Sequence, residues 1–189
     1  VSPPSFRPLG VWRSLSNAVV ERLLQTPAGL KRGGEPRKVA PLMSDLLGFT
    51  AVADRTPPAR VVKLLHTPLG TMADLLLSFQ GTIDEFIGDA ILAIFGAPVQ
   101  REDDALRAVA CAVEMQKAME RVNEFNRREG LPSVEMGIAI HTGEVVVGNI
   151  GSEKRAKYGA VGSQVNLLAR IEAFTCGGQV LISERTLQE

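Results

Sequence analysis

Gly137-Ile138-Ala139-Ile140-His141-Thr142-Gly143-Glu144-Val145-Val146-Val147-Gly148-Asn149-Ile150-Gly151 is the stretch on which the fold turns. Apolar patterning over residues 134–141 and again over 144–150 predicts two β-strands. Thr142-Gly143 between them predicts a hairpin turn. In the first strand Met136, Ile138 and Ile140 form a large apolar face. Gly137 and Ala139 leave the other face small, so something must approach it closely, either a ligand or another chain.

Working backward, residues 103–129 carry Ala105, Ala108, Val109, Ala112, Val113, Met119 and Val122 at helical spacing, ended by Gly130 and Pro132. Residues 81–95 hold two short apolar runs around Gly88-Asp89, a hairpin with that dipeptide at its tip. Val61, Leu64, Leu65, Met72, Leu75 and Leu76 mark another helix, opened by Pro57 and Pro58. Pro68 inside it is expected to kink or break it. Residues 39–44 read as a first strand in which Pro41 cannot donate to a ladder. Forward of the deciding stretch, 158–161 read as a strand, 164–174 as a helix and 179–183 as a last strand. The order β-α-β-β-α-β, with further pieces after it, predicts an α+β sandwich in which helices cover an antiparallel sheet.

The 189 residues suffice for one domain with an extension, and 45% hydrophobic against 22% charged residues describes a folded globular chain. Lys+Arg and Asp+Glu balance at 21 each, without the basic excess of a nucleic-acid binder, so no nucleic acid is expected as a partner. No apolar run is long enough to span a bilayer, and the start does not read as a signal peptide. Two cysteines, Cys111 and Cys176, make neither a disulfide framework nor a zinc site by themselves. A cytoplasmic setting is expected, with membrane attachment of the full-length protein left open. Residues 1–38 stand apart, with three prolines in the first eight positions, then Leu15, Val19, Val20, Leu23 and Leu24 at helical spacing, then a basic, glycine-containing run. They read as a linker with one short helix behind an upstream regulatory module, and 39–189 as the main domain. A first residue Val1 in place of Met leads to the expectation of a longer parent protein.

Neither G-x-x-x-x-G-K-[ST] nor G-x-G-x-x-G occurs, and the two histidines are not at metal-ligand spacing. Carboxylates remain. Asp45 ends the first predicted strand and Asp89 sits at the hairpin tip. A strand end and an adjacent hairpin tip can lie side by side in one sheet, where two carboxylates suit a hard cation such as Mg²⁺ or Mn²⁺. Turns favour Asp for reasons of their own, so the pair alone does not define a site.

The wording around the pair is more specific. Ser44-Asp45-Leu46-Leu47-Gly48-Phe49-Thr50, Phe86-Ile87-Gly88-Asp89-Ala90-Ile91, Phe95-Gly96-Ala97-Pro98, the 137–151 stretch and Val165-Asn166-Leu167-Leu168-Ala169-Arg170 together resemble the catalytic domain of the class III nucleotidyl cyclases, in family order from residue 39 to the end. Residues 15–38 resemble the helix and linker that precede this domain in bacterial members. The resemblance implies a ferredoxin-like βαββαβ core. It implies conversion of a nucleoside triphosphate to the 3′,5′-cyclic monophosphate and pyrophosphate by in-line attack of the 3′-hydroxyl on the α-phosphate, with two divalent ions, Mg²⁺ or Mn²⁺. Asp45 and Asp89 match the metal-binding pair, joined by the backbone of Leu46. Amides in Leu46, Leu47, Gly48, Phe49 and Thr50 would cradle phosphates. Asn166 and Arg170, at i and i+4 on one helix face, match the pair that orients the ribose and neutralises charge on the α-phosphate. In the family the acidic pair and the Asn/Arg pair come from different protomers, so the resemblance implies a homodimer with two shared sites. The small face at Gly137 and Ala139 would fit close approach at such a cleft.

Purine choice follows from edge chemistry. Adenine N1 accepts, which suits a Lys; guanine offers N1–H and a 2-amino group, which suit a carboxylate. Adenylyl members carry Lys four residues before the second metal Asp, and this chain has Glu85 there. Its usual companion, Asp or Thr, aligns with Gly159. The resemblance therefore points to GTP as substrate and is strongest to bacterial guanylyl cyclases. An adenylyl cyclase acting on ATP and a catalytically silent nucleotide-binding dimerisation module are the alternatives. Family domains continue to a Lys that contacts the triphosphate, so the resemblance implies a C-terminal end truncated at Glu189.

Overall fold

The computed structural model describes residues 33–152 and 156–189; the helix expected over 15–24 lies outside the described residues. Its elements are β1 (Gly33–Leu47), α1 (Phe49–Ala53), α2 (Pro58–Ser78), β2 (Thr82–Ile87), β3 (Ala90–Phe95), α3 (Asp104–Arg128), β4 (Glu135–Ile140), β5 (Gly143–Gly151), β6 (Ala156–Val161), α4 (Ser163–Glu172), β7 (Val180–Ile182) and α5 (Glu184–Leu187). The expected α+β sandwich is present. Seven strands form one sheet along β2-β3-β1-β4-β7, with β5 on β1 and β6 on β5. The βαββαβ unit accounts for β1 to β4, and β7 joins β4 as a parallel edge strand.

Side-chain alternation assigns the two faces. Leu42, Leu46, Ile91, Phe95, Met136, Ile138 and Ile140 point into one core with Leu64, Met72 and Leu76 of α2 and Ala108, Met115 and Val122 of α3. Met43, Leu92 and Ala139 point to the other face, where Leu168 of α4 packs on them. The small face at Gly137 and Ala139 is thus covered by this chain's own helix. A Cβ on Gly137 would lie 2.8 Å from Thr175 Cβ, just past the end of α4. The expectation of a ligand or second chain against that face is corrected: the close neighbour is Thr175.

Three further expectations change. Strands β4 and β5 do not form a hairpin. Both pair antiparallel with β1 without a slip in register: Ile140 faces Leu42, the His141 N–H donates to the Pro41 carbonyl at 3.2 Å, and Gly143 faces Val39. The chain therefore runs straight through Thr142-Gly143. Pro41 sits where β4 hands over to β5, so its missing N–H falls at a junction in the ladder. Strand β1 begins at Gly33 and takes in residues 33–38, grouped with the linker on composition. Helix α2 runs through Pro68 unbroken. Leu64, Pro68, Met72 and Leu76 form its buried i, i+4 row, and apolar burial of the ring offsets the backbone bond that proline forfeits.

The β2–β3 hairpin is as expected, with Ile87 facing Ala90 across Gly88-Asp89 and Gly88 in the left-handed region at φ 65°. One irregularity was not anticipated: the β2–β3 register shifts between Ile83 and Glu85, leaving Asp84 as a bulged residue.

Candidate active site

Strand pairing brings the acidic pair together. Ser44 faces Ile91 across β1–β3, which sets the end of β1 beside the hairpin tip. The Asp45 and Asp89 carboxylates come within hydrogen-bonding reach, and Asp45 also accepts from the Leu46 N–H. Burial first, then the charges of Asp89 and Glu172, push the Asp45 carboxyl up to about 6. Glu172 is raised too, by burial and by the charge of Asp89, against a stabilising hydrogen bond from Thr175. Among the described residues neither Asp45 nor Asp89 has a lysine or arginine partner. Two crowded carboxylates without a counter-charge fit a hard divalent cation. No three His, Cys, Asp or Glu side chains gather as a metal cage among the described residues.

The 46–50 segment turns directly beside this pair. The Leu46 side chain is buried in the core, which leaves only its backbone for the site. Gly48, at φ 71°, lets the chain turn from β1 into α1, and Phe49 anchors that turn in the core. Helix α1 has only five residues. Any hold on phosphate would therefore come from individual amides at its start, which have no intrahelical acceptor, and little from a helix dipole. Leu47 is half-buried and Thr50 exposed.

Asn166 and Arg170 are both exposed on α4, while Leu168 between them faces the sheet. The charges that reach Asp45 are those of Asp89 and Glu172, and Arg170 is not among them. The structure thus brings Asp45 and Asp89 together and leaves Asn166 and Arg170 exposed on the surface of α4. Leu167, Val161, Phe86 and Phe174 are exposed as well, Phe174 to 80%.

Glu85 is exposed on β2, and its Oε2 accepts from Lys157 Nζ at 2.8 Å. The same ammonium lies 2.9 Å from Oδ1 of Asp84, whose side chain is only 2% exposed. Asp84 Oδ2 accepts from the Ala160 N–H at 3.1 Å. Burial works against the Lys157 charge, and the hydrogen bonds and charges of Glu85 and Asp84 outweigh it, raising the ammonium above its ordinary range. Gly159 is buried, and a Cβ there would overlap the Asp84 carboxylate. Its place is therefore filled from within the chain. Sequence reasoning missed Asp84, Lys157, Glu172 and Thr175. A signal for Asp84 existed, because two consecutive acidic residues, Asp84-Glu85, break the apolar alternation between Ile83 and Phe86. Glu172 gave none.

His141 is buried, with Nδ1 at 2.8 Å from Ser183 Oγ and Nε2 at 2.8 Å from Gln164 Oε1. It ties the β4–β5 junction to α4 and α5, a structural use of both ring nitrogens. No helix among the described residues is long and apolar enough to cross a membrane.

A family model described as "Adenylate and Guanylate cyclase catalytic domain" matches residues 34–189. Among solved structures, the guanylyl cyclase Cya2 is 57% identical, with a TM-score of 0.81 over 83% of this chain and 80% of that one. The adenylyl cyclase CyaB from P. aeruginosa is 32% identical, with a TM-score of 0.80 over 83% of this chain and 82% of that one. Adenylate cyclase 1 of Rhizobium meliloti (strain 1021) is 32% identical over 73% of this chain, which spans 21% of that relative's length.

Proposed function

This chain belongs to the adenylate and guanylate cyclase catalytic domain family, and on that premise we propose that it cyclises GTP to 3′,5′-cyclic GMP and pyrophosphate at two sites shared across a homodimer. The observation that supports the shared site is that the acidic pair closes up within one protomer while the Asn/Arg pair is left exposed on α4. Two copies related by a twofold axis would each lend the second pair to the other's first.

Asp45 and Asp89, with the backbone of Leu46, would hold the divalent ions. Bound there, Mg²⁺ or Mn²⁺ supplies charge neutralisation for the triphosphate and acidifies the ribose 3′-hydroxyl. The chain's own residues do the rest. Amides at the turn from β1 into α1, Gly48 to Thr50, donate to phosphate oxygens, while the Leu46 N–H is given to the Asp45 carboxylate. Asn166 orients the ribose, and Arg170 donates to the oxygens on which charge gathers as the α-phosphate is attacked. Glu85 accepts from guanine N1–H and the 2-amino group. Adenine N1, an acceptor, finds no donor in that carboxylate. Both kinds of cyclase stand among the relatives, and Glu85 is what favours GTP here. An upstream regulatory module in the parent protein belongs to the same proposal.

The test is product formation from GTP and from ATP, separately, with Mn²⁺ and then Mg²⁺. Cyclic GMP well in excess of cyclic AMP supports the reading. Cyclic AMP in excess overturns the purine assignment. Bound nucleotide without product from either would favour a silent module.

A further inference from the structure

Helix α4 ends on Glu172, a charge in an unfavourable place. A carboxylate at a helix C-terminus meets the negative end of the helix dipole. Glu172 is also half-buried, the charge of Asp89 reaches it, and no lysine or arginine charge offsets these among the described residues. Its carboxylate is held by Thr175, whose Oγ1 donates to Glu172 Oε1 over a long 3.4 Å. The same oxygen lies 3.5 Å from where a Cβ on Gly137 would stand, and Gly137 faces Asp45 across the β1–β4 ladder. The last carboxylate of α4 therefore sits over the cross-strand neighbour of Asp45, and its charge reaches Asp45 in turn. That helix also carries Asn166 and Arg170, with Arg170 in its last turn.

We infer that Glu172 is a positioning residue that couples the two sites of a dimer, by tying the seating of α4, and with it Asn166 and Arg170, to the charge held between Asp45 and Asp89 of its own chain. With the acidic pair bare, Glu172 is repelled, and the long bond from Thr175 opposes that repulsion weakly. A divalent cation at the pair reverses the field at Glu172 and draws the end of α4 to the sheet. Glu172 acts through its charge and not as a ligand, since no three acidic, His or Cys groups gather as a metal cage among the described residues. The two states differ in an interaction that both ends of the helix feel, which is what coupling requires. Asn166 and Arg170 serve the partner's site, so a cation bound by one protomer readies the site whose cation the other holds. The inference rests on the shared-site reading.

Glu172→Gln keeps the shape of the side chain and an acceptor for Thr175 while removing the charge. Hydrogen exchange over residues 163–172 is followed with and without Mn²⁺, saturating for each chain, in the wild-type chain, Glu172→Gln and Asp89→Ala, each checked for a cooperative melt. Mn²⁺ should slow exchange in α4 of the wild-type chain on the order of fivefold, the scale of one unit charge acting in partly solvated surroundings. It should do so in neither variant. Coupling is reciprocal, so the Kd for Mn²⁺, read from the free ion by electron paramagnetic resonance, should weaken by a similar factor in Glu172→Gln. The kcat for GTP at saturating Mn²⁺ should fall on the same scale, since Arg170 acts in the transition state. Exchange in α4 that ignores Mn²⁺ in the wild-type chain, or responds equally in Glu172→Gln, overturns the inference. So does a wild-type kcat in Glu172→Gln, because the seating of α4 then does not reach Arg170. A mixture of Asp89→Ala and Arg170→Ala chains that recovers no activity overturns the shared-site reading, and coupling between sites with it, while the exchange result still reports whether Glu172 seats α4 within one chain.

Discussion

Asp45 and Gly137 face each other across the β1–β4 ladder, and the space a side chain on Gly137 would fill is held by Thr175 at the end of α4. The acidic pair and the helix bearing Asn166 and Arg170 are therefore built on the same patch of sheet. Replacing Gly137 by Ala would set a Cβ 2.8 Å from that of Thr175, closer than packed atoms tolerate, so the end of α4 must shift. Gly137→Ala should cost about 1–3 kcal/mol in urea unfolding and lower turnover by more than the lost stability explains. Wild-type turnover would separate the seating of α4 from catalysis.

Asp45 ties stability to pH. Its carboxyl is raised to about 6 by burial and by its acidic neighbours, so the folded state binds that proton more tightly than the unfolded chain. The stability this gives is present below the ordinary carboxylate pKa and is lost as pH rises through about 6. Without divalent cations the thermal midpoint should fall over that window, and Asp45→Asn should flatten the fall. Mg²⁺ or Mn²⁺ should raise the midpoint more above that window than below it, where the site is protonated. An equal rise on both sides would count against the acidic pair as the cation site.

Arg170 and Asn166 are exposed, so their loss should leave the fold intact. Arg170→Ala should reduce kcat by about 10²–10³, the scale for removing one preorganised donor to developing charge, with an unchanged melting curve. Asp89→Ala should abolish turnover with fold and dimer intact. Unchanged activity in either variant would contradict the corresponding role.

Specific activity should rise with protein concentration if the two halves of the site come from different copies and association is weak. Dilution series read beside sizing at the same concentrations check this. A flat response from a monomeric species would contradict a shared site.

The acidic pair of the candidate site was legible in the sequence because it is carried by turns. Gly88-Asp89 between two apolar runs fixes a hairpin tip, and a strand ending in Asp45 just before Gly48 fixes a turn, so both carboxylates could be placed before any tertiary contact was known. The sheet was harder to read. Thr142-Gly143 has the composition of a hairpin, yet the chain runs straight through it because β1, at 15 residues, is long enough to pair with β4 and β5 in turn. Pro68 reads as a helix breaker until its ring is seen in the buried row of α2. The small face at Gly137 announced a close approach but not by what, since Thr175 lies 38 positions along the chain. Lys157 and Glu85 meet only through the contact of β6 with β2, a distance of 72 positions that no local pattern encodes.

The shared site is tested most directly by complementation. Asp89→Ala and Arg170→Ala chains, each inactive alone, are co-expressed and assayed as the mixed population. Each heterodimer then has one site with both defects and one with none. With unbiased pairing the mixture should recover about a quarter of wild-type activity, since half the dimers carry one intact site of two. A mixture no more active than either variant alone would contradict a site built from two copies of this chain.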